Sequence, residues 1–294
     1  MIEEHKAVHK IKKDPKYFYN YAKRLRKYTY SPNILIDKNS NIKSNPIDIA
    51  NTLQDQFKSV FSIPITENDY TLRPQSVKPK FPLSPDLVLS KNDFLSAIDE
   101  MKNDMSSSKF DIPPYIFKTY KDILWIPLYK FWTKSFKTGR IPKSYKNQII
   151  IPKHKKGSKT NPENFRPICI TPNPIKIFER IIRKKISTYL ELNEILTETQ
   201  HGFRQNRSCS TQLISYTNSI LNNLTKGIET DSIYLDYSKA FDKIDHTILI
   251  IKLKLLKIPD TYVKWIECFI RGRTQTVLVN GQLSFPTTVQ SGVP

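Results

Sequence analysis

The chain has 294 residues, with 47 Lys and Arg against 27 Asp and Glu and a formal net charge of +20. Hydrophobic residues make up 38% and aromatics 11%, which suits a packed core and excludes global disorder. The charge points to a polyanionic partner, nucleic acid first and an anionic membrane surface second. No apolar run of about 18 residues is present to span a bilayer. The start MIEEHKAVHKIKK lacks the apolar stretch of a secretory signal, so an intracellular protein is expected, nuclear or cytoplasmic. Cys169, Cys209 and Cys268 have neither metal-ligand spacing nor a disulfide framework.

Glycine is scarce, which argues against folds built on glycine-rich phosphate turns, and plentiful proline cuts the chain into short elements. Phe18, Tyr21 and Leu25 among Lys23, Arg24, Arg26 and Lys27 predict a short basic helix. Asn45 and Pro46 open a second helix carrying Ile47, Ile49, Ala50, Leu53, Phe57 and Val60. Residues 64–86 look like a connector. Ser90 with Asp93 resembles a capping box, followed by Phe94, Ile98 and Met101 on one face. The stretch 106–120 reads as irregular around Pro113 and Pro114, and an aromatic helix follows over Ile123–Lys137. Ile149–Ile151 and Cys169–Ile170 predict two strands flanking a basic loop. Helices are expected over Ile175–Glu191 and Ser210–Thr225, then a short buried strand over Ser232–Asp236. Residues 240–256 and 261–269 read as mostly helical. Thr274–Val279 and Gln282–Pro286 flank Asn280-Gly281, a strong hairpin signal.

Two places suggest chemistry. The loop between the first two main strands carries Lys153, His154, Lys155, Lys156, Lys159 and Arg166, which suits a polyphosphate lying over it. Asp236 ends the expected strand Ser232–Asp236, where a carboxylate commonly points into a site. Nucleotidyl transfer needs carboxylates there to hold divalent ions, and two ions need more than one. Asp242 and Asp245 follow closely, but on the helical side of the turn they suit the helix dipole instead.

These strings in order resemble the reverse transcriptases of non-LTR, LINE-type and jockey-like retrotransposons. IPKHKKGSKTNPENFRPICI is similar to the first palm-fingers block, and QHGFRQNRS to the next. YLDYSKAFDKIDH looks like motif A, and SGVP, Ser291 to Pro294, like the opening of motif B. KFDIPPYIFK and TGRIPKSYKNQ resemble the lead-in more loosely. The resemblance implies an α+β fold: right-hand polymerase fingers and partial palm, mostly helical, with short strands and an incomplete palm sheet. It further implies a linker and N-terminal helical extension over 1–86 and the reverse transcriptase domain over 87–294.

It also assigns roles. Asp236 would be the motif A catalytic carboxylate and metal ligand, for Mg²⁺ or Mn²⁺, with the Tyr237 carbonyl beside it. Phe241 would be the steric gate against a 2′-hydroxyl. Lys153 and Arg166 would hold the triphosphate of the dNTP, with Lys155 or Lys156 as alternatives to Lys153. Gln200, Gly202, Phe203, Arg204 and Arg207 would line the template and primer side. The partners implied are an RNA template, a DNA primer and dNTPs, with no membrane. The sequence contains no Tyr-x-Asp-Asp string of motif C. It therefore reads as truncated within motif B and expected to polymerise nothing by itself. The alternative is a catalytically dead remnant that only binds nucleic acid.

Overall fold

The computed structural model describes residues 32–65, 77–102 and 111–294. The basic helix expected before residue 30 lies outside them. The described chain forms two compact units, each discontinuous in sequence. The organisation expected from the family, 1–86 and 87–294, is a division of another kind from these compact units.

The first unit comprises residues 32–57, 149–169 and 276–286. Strand β1 (Leu35–Ile36) pairs antiparallel with β2 (Ile42–Lys43). Helix α1 (Pro46–Lys58) begins where Asn45 accepts the Ile47 N–H at 3.2 Å, the expected cap. It buries Ile49, Ala50, Leu53 and Phe57, whereas Ile47 remains exposed. Strands β3 (Asn147–His154), β4 (Phe165–Ile170), β5 (Thr274–Val279) and β6 (Gln282–Leu283) follow in the sheet order β4-β3-β5-β6. Asn280 and Gly281, at φ 47° and 86°, turn β5 into β6 with Val279 opposite Gln282. Positive φ at both residues is what a two-residue hairpin of matching twist requires. Ile150, Phe165, Val277 and Val279 close this core over α1.

The second unit comprises Lys58–Gln148, Ile170–Gln275 and Thr287–Pro294. Helix α2 (Lys91–Asp99) starts on the expected capping box of Ser90 and Asp93 and buries Phe94 and Ile98. The prolines at 113 and 114 start a helix where an irregular segment was expected: α3 (Pro114–Thr119) has proline in its first turn, where no intrahelical N–H is lost. Helix α4 (Lys121–Thr138) ends on Gly139 at φ 62°. Helices α5 (Asn173–Leu192), α6 (Cys209–Thr225), α7 (His246–Leu255) and α8 (Asp260–Ile270) complete the set. The core is aromatic. Trp132 of α4 stacks on Phe178 of α5 at 4.9 Å, and Phe178 meets Trp265 of α8 edge-on at 5.0 Å. Strand β7 (Thr287–Thr288) pairs with Thr274 and Gln275 of β5. The described residues are thus mixed α and β, with eight α-helices and short strands, in agreement with a partial polymerase fold.

Two expectations are corrected. Ser232–Asp236 forms no strand and is not buried: Ile233, Tyr234 and Leu235 are 85%, 82% and 90% exposed. A strand exists through its neighbours, and among the described residues no strand pairs with this segment. Its contacts run from Ser232 and Tyr234 to the Tyr216 hydroxyl of α6. That helix is capped by Ser208 and Thr211 yet buries none of its residues, leaving Leu213, Ile214, Leu221 and Leu224 exposed. Second, the mostly helical stretch does not begin at residue 240: residues 240–243 are turn, 244 and 245 are irregular, and α7 starts only at His246. Asp245 sets that start, its carboxylate accepting the Ile248 N–H at 2.9 Å.

Ile233 and Leu235 lack the burial that gives apolar side chains their stabilising worth. The pair Ile233→Lys and Leu235→Lys is expected to shift unfolding free energy by less than about 0.5 kcal/mol. It should also reduce self-association, because an unpaired apolar segment invites pairing with another chain. Denaturant titration and light scattering read the two effects.

Candidate active site

Asp236 stands on the exposed segment, with no hydrogen bond or ion pair among the described residues. Tyr237 beside it is 86% exposed. The chain then makes a turn with Lys239 at φ 54°. Phe241, at 57% exposed, leaves that turn with its ring edge-on to Phe203 at 6.0 Å. Phe241 and Phe203 thus meet at an exposed surface of the second unit, and Asp236 and Tyr237 lie on the exposed segment that leads into the turn.

The backbone after Phe241 is held in an unusual way. Neither helix nor sheet takes up its carbonyls, yet four in a row have donors. The Phe241 carbonyl accepts from the Val293 N–H at 3.2 Å, and the Ile244 carbonyl from the Gly292 N–H at 2.8 Å. The Asp242 carbonyl accepts from the Ser291 hydroxyl at 2.8 Å, and the Lys243 carbonyl from the Ser62 hydroxyl at 2.9 Å. Ser291 in turn accepts the Ser62 N–H. The segment Ser291–Val293 is thus stitched onto the turn that carries Phe241. Gly292 has to be glycine: its φ is +84°, and a Cβ would meet the Asp242 carbonyl oxygen at 2.9 Å.

A buried pair stands behind the stitch. The His246 Nε2–H donates to the Gly292 carbonyl at 2.8 Å, and Arg273 Nη2 donates to the same oxygen at 2.6 Å. Burial holds the His246 imidazole below its usual value, and the Arg273 and Arg271 guanidiniums act in the same direction. Burial pushes the half-buried Asp242 carboxyl up, against the pull of Lys239. None of Ser62, His246 and Arg273 was marked by the sequence. Their partners are 229, 46 and 19 residues away, and such pairings leave no local pattern.

The expected template-side residues divide. Arg204 makes a two-pronged pair with Glu191 and also reaches the Thr197 carbonyl at 2.7 Å. Arg207 donates to the Glu198 carbonyl. Gln200 donates to the Gly202 carbonyl at 3.3 Å. Phe203 is 93% exposed at φ 62°. A Cβ on Gly202 would meet nothing within 4 Å, so the protein's own packing does not demand glycine there.

The two cations expected at the triphosphate lie in the first unit. Burial alternates along β3 and β4, with Ile150, Pro152 and Phe165 inward and Lys153 and Arg166 outward. The Lys155 N–H to Asn164 carbonyl bond, 2.8 Å, closes the hairpin. Counted inward from it, Lys153 and Arg166 each lie two residues along their strand. Both present their charge on one face. With Lys155, Lys156 and Lys159 they are five exposed cations whose side chains make no hydrogen bond or ion pair among the described residues.

Among the described residues, no three of His, Cys, Asp and Glu come together to hold a metal. Asp236 is one donor. Both oxygens of Asp245 serve as caps, one for Ile248 and one for the Ile65 N–H. The described donors do not by themselves make the expected two-ion centre, and no step is routed through one.

Residues 151–294 match the family described as reverse transcriptase (RNA-dependent DNA polymerase). Residues 151–294 belong to the reverse transcriptase family. The probable RNA-directed DNA polymerase from transposon BS of Drosophila melanogaster is 31% identical over 154 residues, 52% of this chain and 17% of that protein. The RNA-directed DNA polymerase from mobile element jockey of the same fly is 31% identical over 157 residues, 53% of this chain and 17% of that protein. The corresponding jockey protein of Drosophila funebris is 25% identical over 247 residues, 83% of this chain and 27% of that protein. The reverse transcriptase sequence is therefore of the non-LTR, jockey-like kind. The chain spans well under a third of the length of these relatives.

In this reverse transcriptase segment the stitch gives a direct expectation. Gly292→Ala adds left-handed strain and a close contact to the Asp242 carbonyl, so it should cost about 2–4 kcal/mol. A fall in the denaturation midpoint with an unchanged denaturant slope is the signature to look for.

Proposed function

We propose that the chain acts within an RNA-directed DNA polymerase of a jockey-like retrotransposon, adding deoxynucleotides to a DNA primer on an RNA template. The observation that carries the reading is the outward pair Lys153 and Arg166 with the unpaired Lys155, Lys156 and Lys159, inside the segment that matches the family. Free cations are what a triphosphate or a nucleic-acid backbone needs. Lys153 and Arg166 hold the triphosphate. Phe241 screens the sugar for a 2′-hydroxyl. Gln200, Gly202, Phe203, Arg204 and Arg207 serve the template and primer, with Phe203 exposed enough to stack on a base. In this reading 87–294 is the polymerase portion, and 1–86 the extension that leads into it.

Polymerases of this family generally use a divalent metal. The finer proposal is that Asp236, assisted by the Tyr237 carbonyl, is one ligand for Mg²⁺ or Mn²⁺, with further carboxylates required to complete the centre. The chain's own contribution to catalysis is then positioning and electrostatic neutralisation of the nucleotide. A second reading is a nucleic-acid-binding remnant without chemistry. Among the described residues Asp236 belongs to no cluster of three ligating side chains, which favours this second reading for the 294-residue polypeptide taken alone.

Fluorescence anisotropy with a DNA primer annealed to RNA tests the first reading. Affinity should fall steeply with salt. Replacing Lys155, Lys156 and Lys159 together by Ala should reduce the slope of log affinity against log salt by about 2–3. Binding that ignores salt counts against it. Primer extension by the 294-residue polypeptide with Mg²⁺ separates the readings. No product is expected, and extension abolished in Asp236→Ala would show that this chain alone is a polymerase.

A further inference from the structure

We propose that Arg273 and His246 are positioning residues that lock the turn carrying Phe241, and through it the choice between deoxyribose and ribose. This rests on the reading of Phe241 as the sugar gate. Three observations converge on it. The Gly292 carbonyl accepts from two buried side chains at once, His246 at 5% and Arg273 at 2% exposed. Gly292 and Val293 are the residues whose N–H groups hold the Ile244 and Phe241 carbonyls. Gly292 also lies against the turn so closely that no Cβ fits. The gate residue is therefore two hydrogen bonds removed from a buried guanidinium.

The choice of arginine is informative. Desolvating a cation is costly, and a neutral donor could tie one carbonyl for far less. The planar guanidinium does more. Its Nε donates to the Ile270 carbonyl at 2.8 Å, Nη1 to the Gln148 side chain at 3.0 Å, and Nη2 to Gly292. One rigid fork thus fixes the end of α8, the start of β3 and the Ser291–Val293 segment against each other. His246 ties the same oxygen to the first residue of α7, which follows the turn directly. Phe241 is more than half exposed, and among the described residues the aromatic ring it meets is the Phe203 edge. Its placement must come from the backbone, and the backbone is set by this lock. A steric gate works only if it cannot retreat when a 2′-hydroxyl presses on it.

Two measurements on the 294-residue chain test this. The first is hydrogen exchange at the amides of Asp242, Gly292 and Val293 in wild type, His246→Ala, His246→Gln and Arg273→Ala. Exchange should quicken in both Ala variants and return toward wild type in His246→Gln, which keeps a donor at the reach of Nε2. Arg273→Ala strips three acceptors and can unfold the chain; the two His246 variants then decide. Unchanged exchange in His246→Ala overturns the lock. The second is calorimetric binding of dTTP and UTP with Mg²⁺. The preference for dTTP over UTP should fall about fivefold or more in His246→Ala and be restored in His246→Gln. A preference that survives His246→Ala, while exchange has quickened, overturns the link to sugar choice. A wild-type chain that binds neither nucleotide removes the gate reading itself and the sugar claim with it, while exchange still decides the lock.

Discussion

Four consecutive carbonyls with no helix or sheet to receive them are the constraint around which the second unit's exposed face is built. Buried or half-buried carbonyls require donors, and the Phe241–Ile244 turn finds all of its donors outside itself. Two come from backbone N–H groups of Gly292 and Val293, and two from the hydroxyls of Ser291 and Ser62. That single requirement explains why residue 292 has no side chain and why Ser62 crosses to residue 291. It also explains why a guanidinium and an imidazole are buried behind one carbonyl oxygen. With the turn held, Asp245 is free to cap α7 and Phe241 is delivered to the surface beside Phe203.

Among the described residues, the cations named above fall into two working classes. Arg204, Arg207 and Arg273 are engaged with the chain itself, and their donors shape loops. Lys153, Lys155, Lys156, Lys159 and Arg166 face outward on one hairpin of the first unit, without partners among the described residues. Net charge alone does not distinguish these classes, although only the second can grip a polyanion without first breaking an internal contact. Arg204 is paired with Glu191 and bonded to the Thr197 carbonyl, so it also shapes the Thr197–Ser208 loop. Phe203 and Gln200 remain exposed on that same loop.

Local chemistry was the most legible part of the fold. The Asn45 cap, the Ser90–Asp93 capping box and the Asn280-Gly281 hairpin each follow from bonds or dihedrals within a few residues. The helical stripe of Phe94 and Ile98 follows from the 3.6-residue period. Ser232–Asp236 misled for the opposite reason. Its composition suits a strand, but a strand depends on partners remote in sequence, and none of the described strands pairs with it. The start of α7 was misplaced because helix propensity in SKAFDKI competes with tertiary donors for the same carbonyls, and the donors won.

The motif blocks alone pointed to the family and named the residues expected to carry its chemistry, because a family's reactive side chains are tied to a linear order that survives without coordinates. They marked Asp236, Phe241, Lys153 and Arg166 as candidates, and the fold turns Lys153 and Arg166 outward along β3 and β4. Only the tertiary structure decided which cations are free, that Asp236 sits on an unpaired segment, and that Phe241 is anchored through Gly292. Each of those depends on hydrogen bonds and burial between residues far apart in the chain. The energy of such contacts is set by where the fold brings the backbone, and no local spacing encodes it.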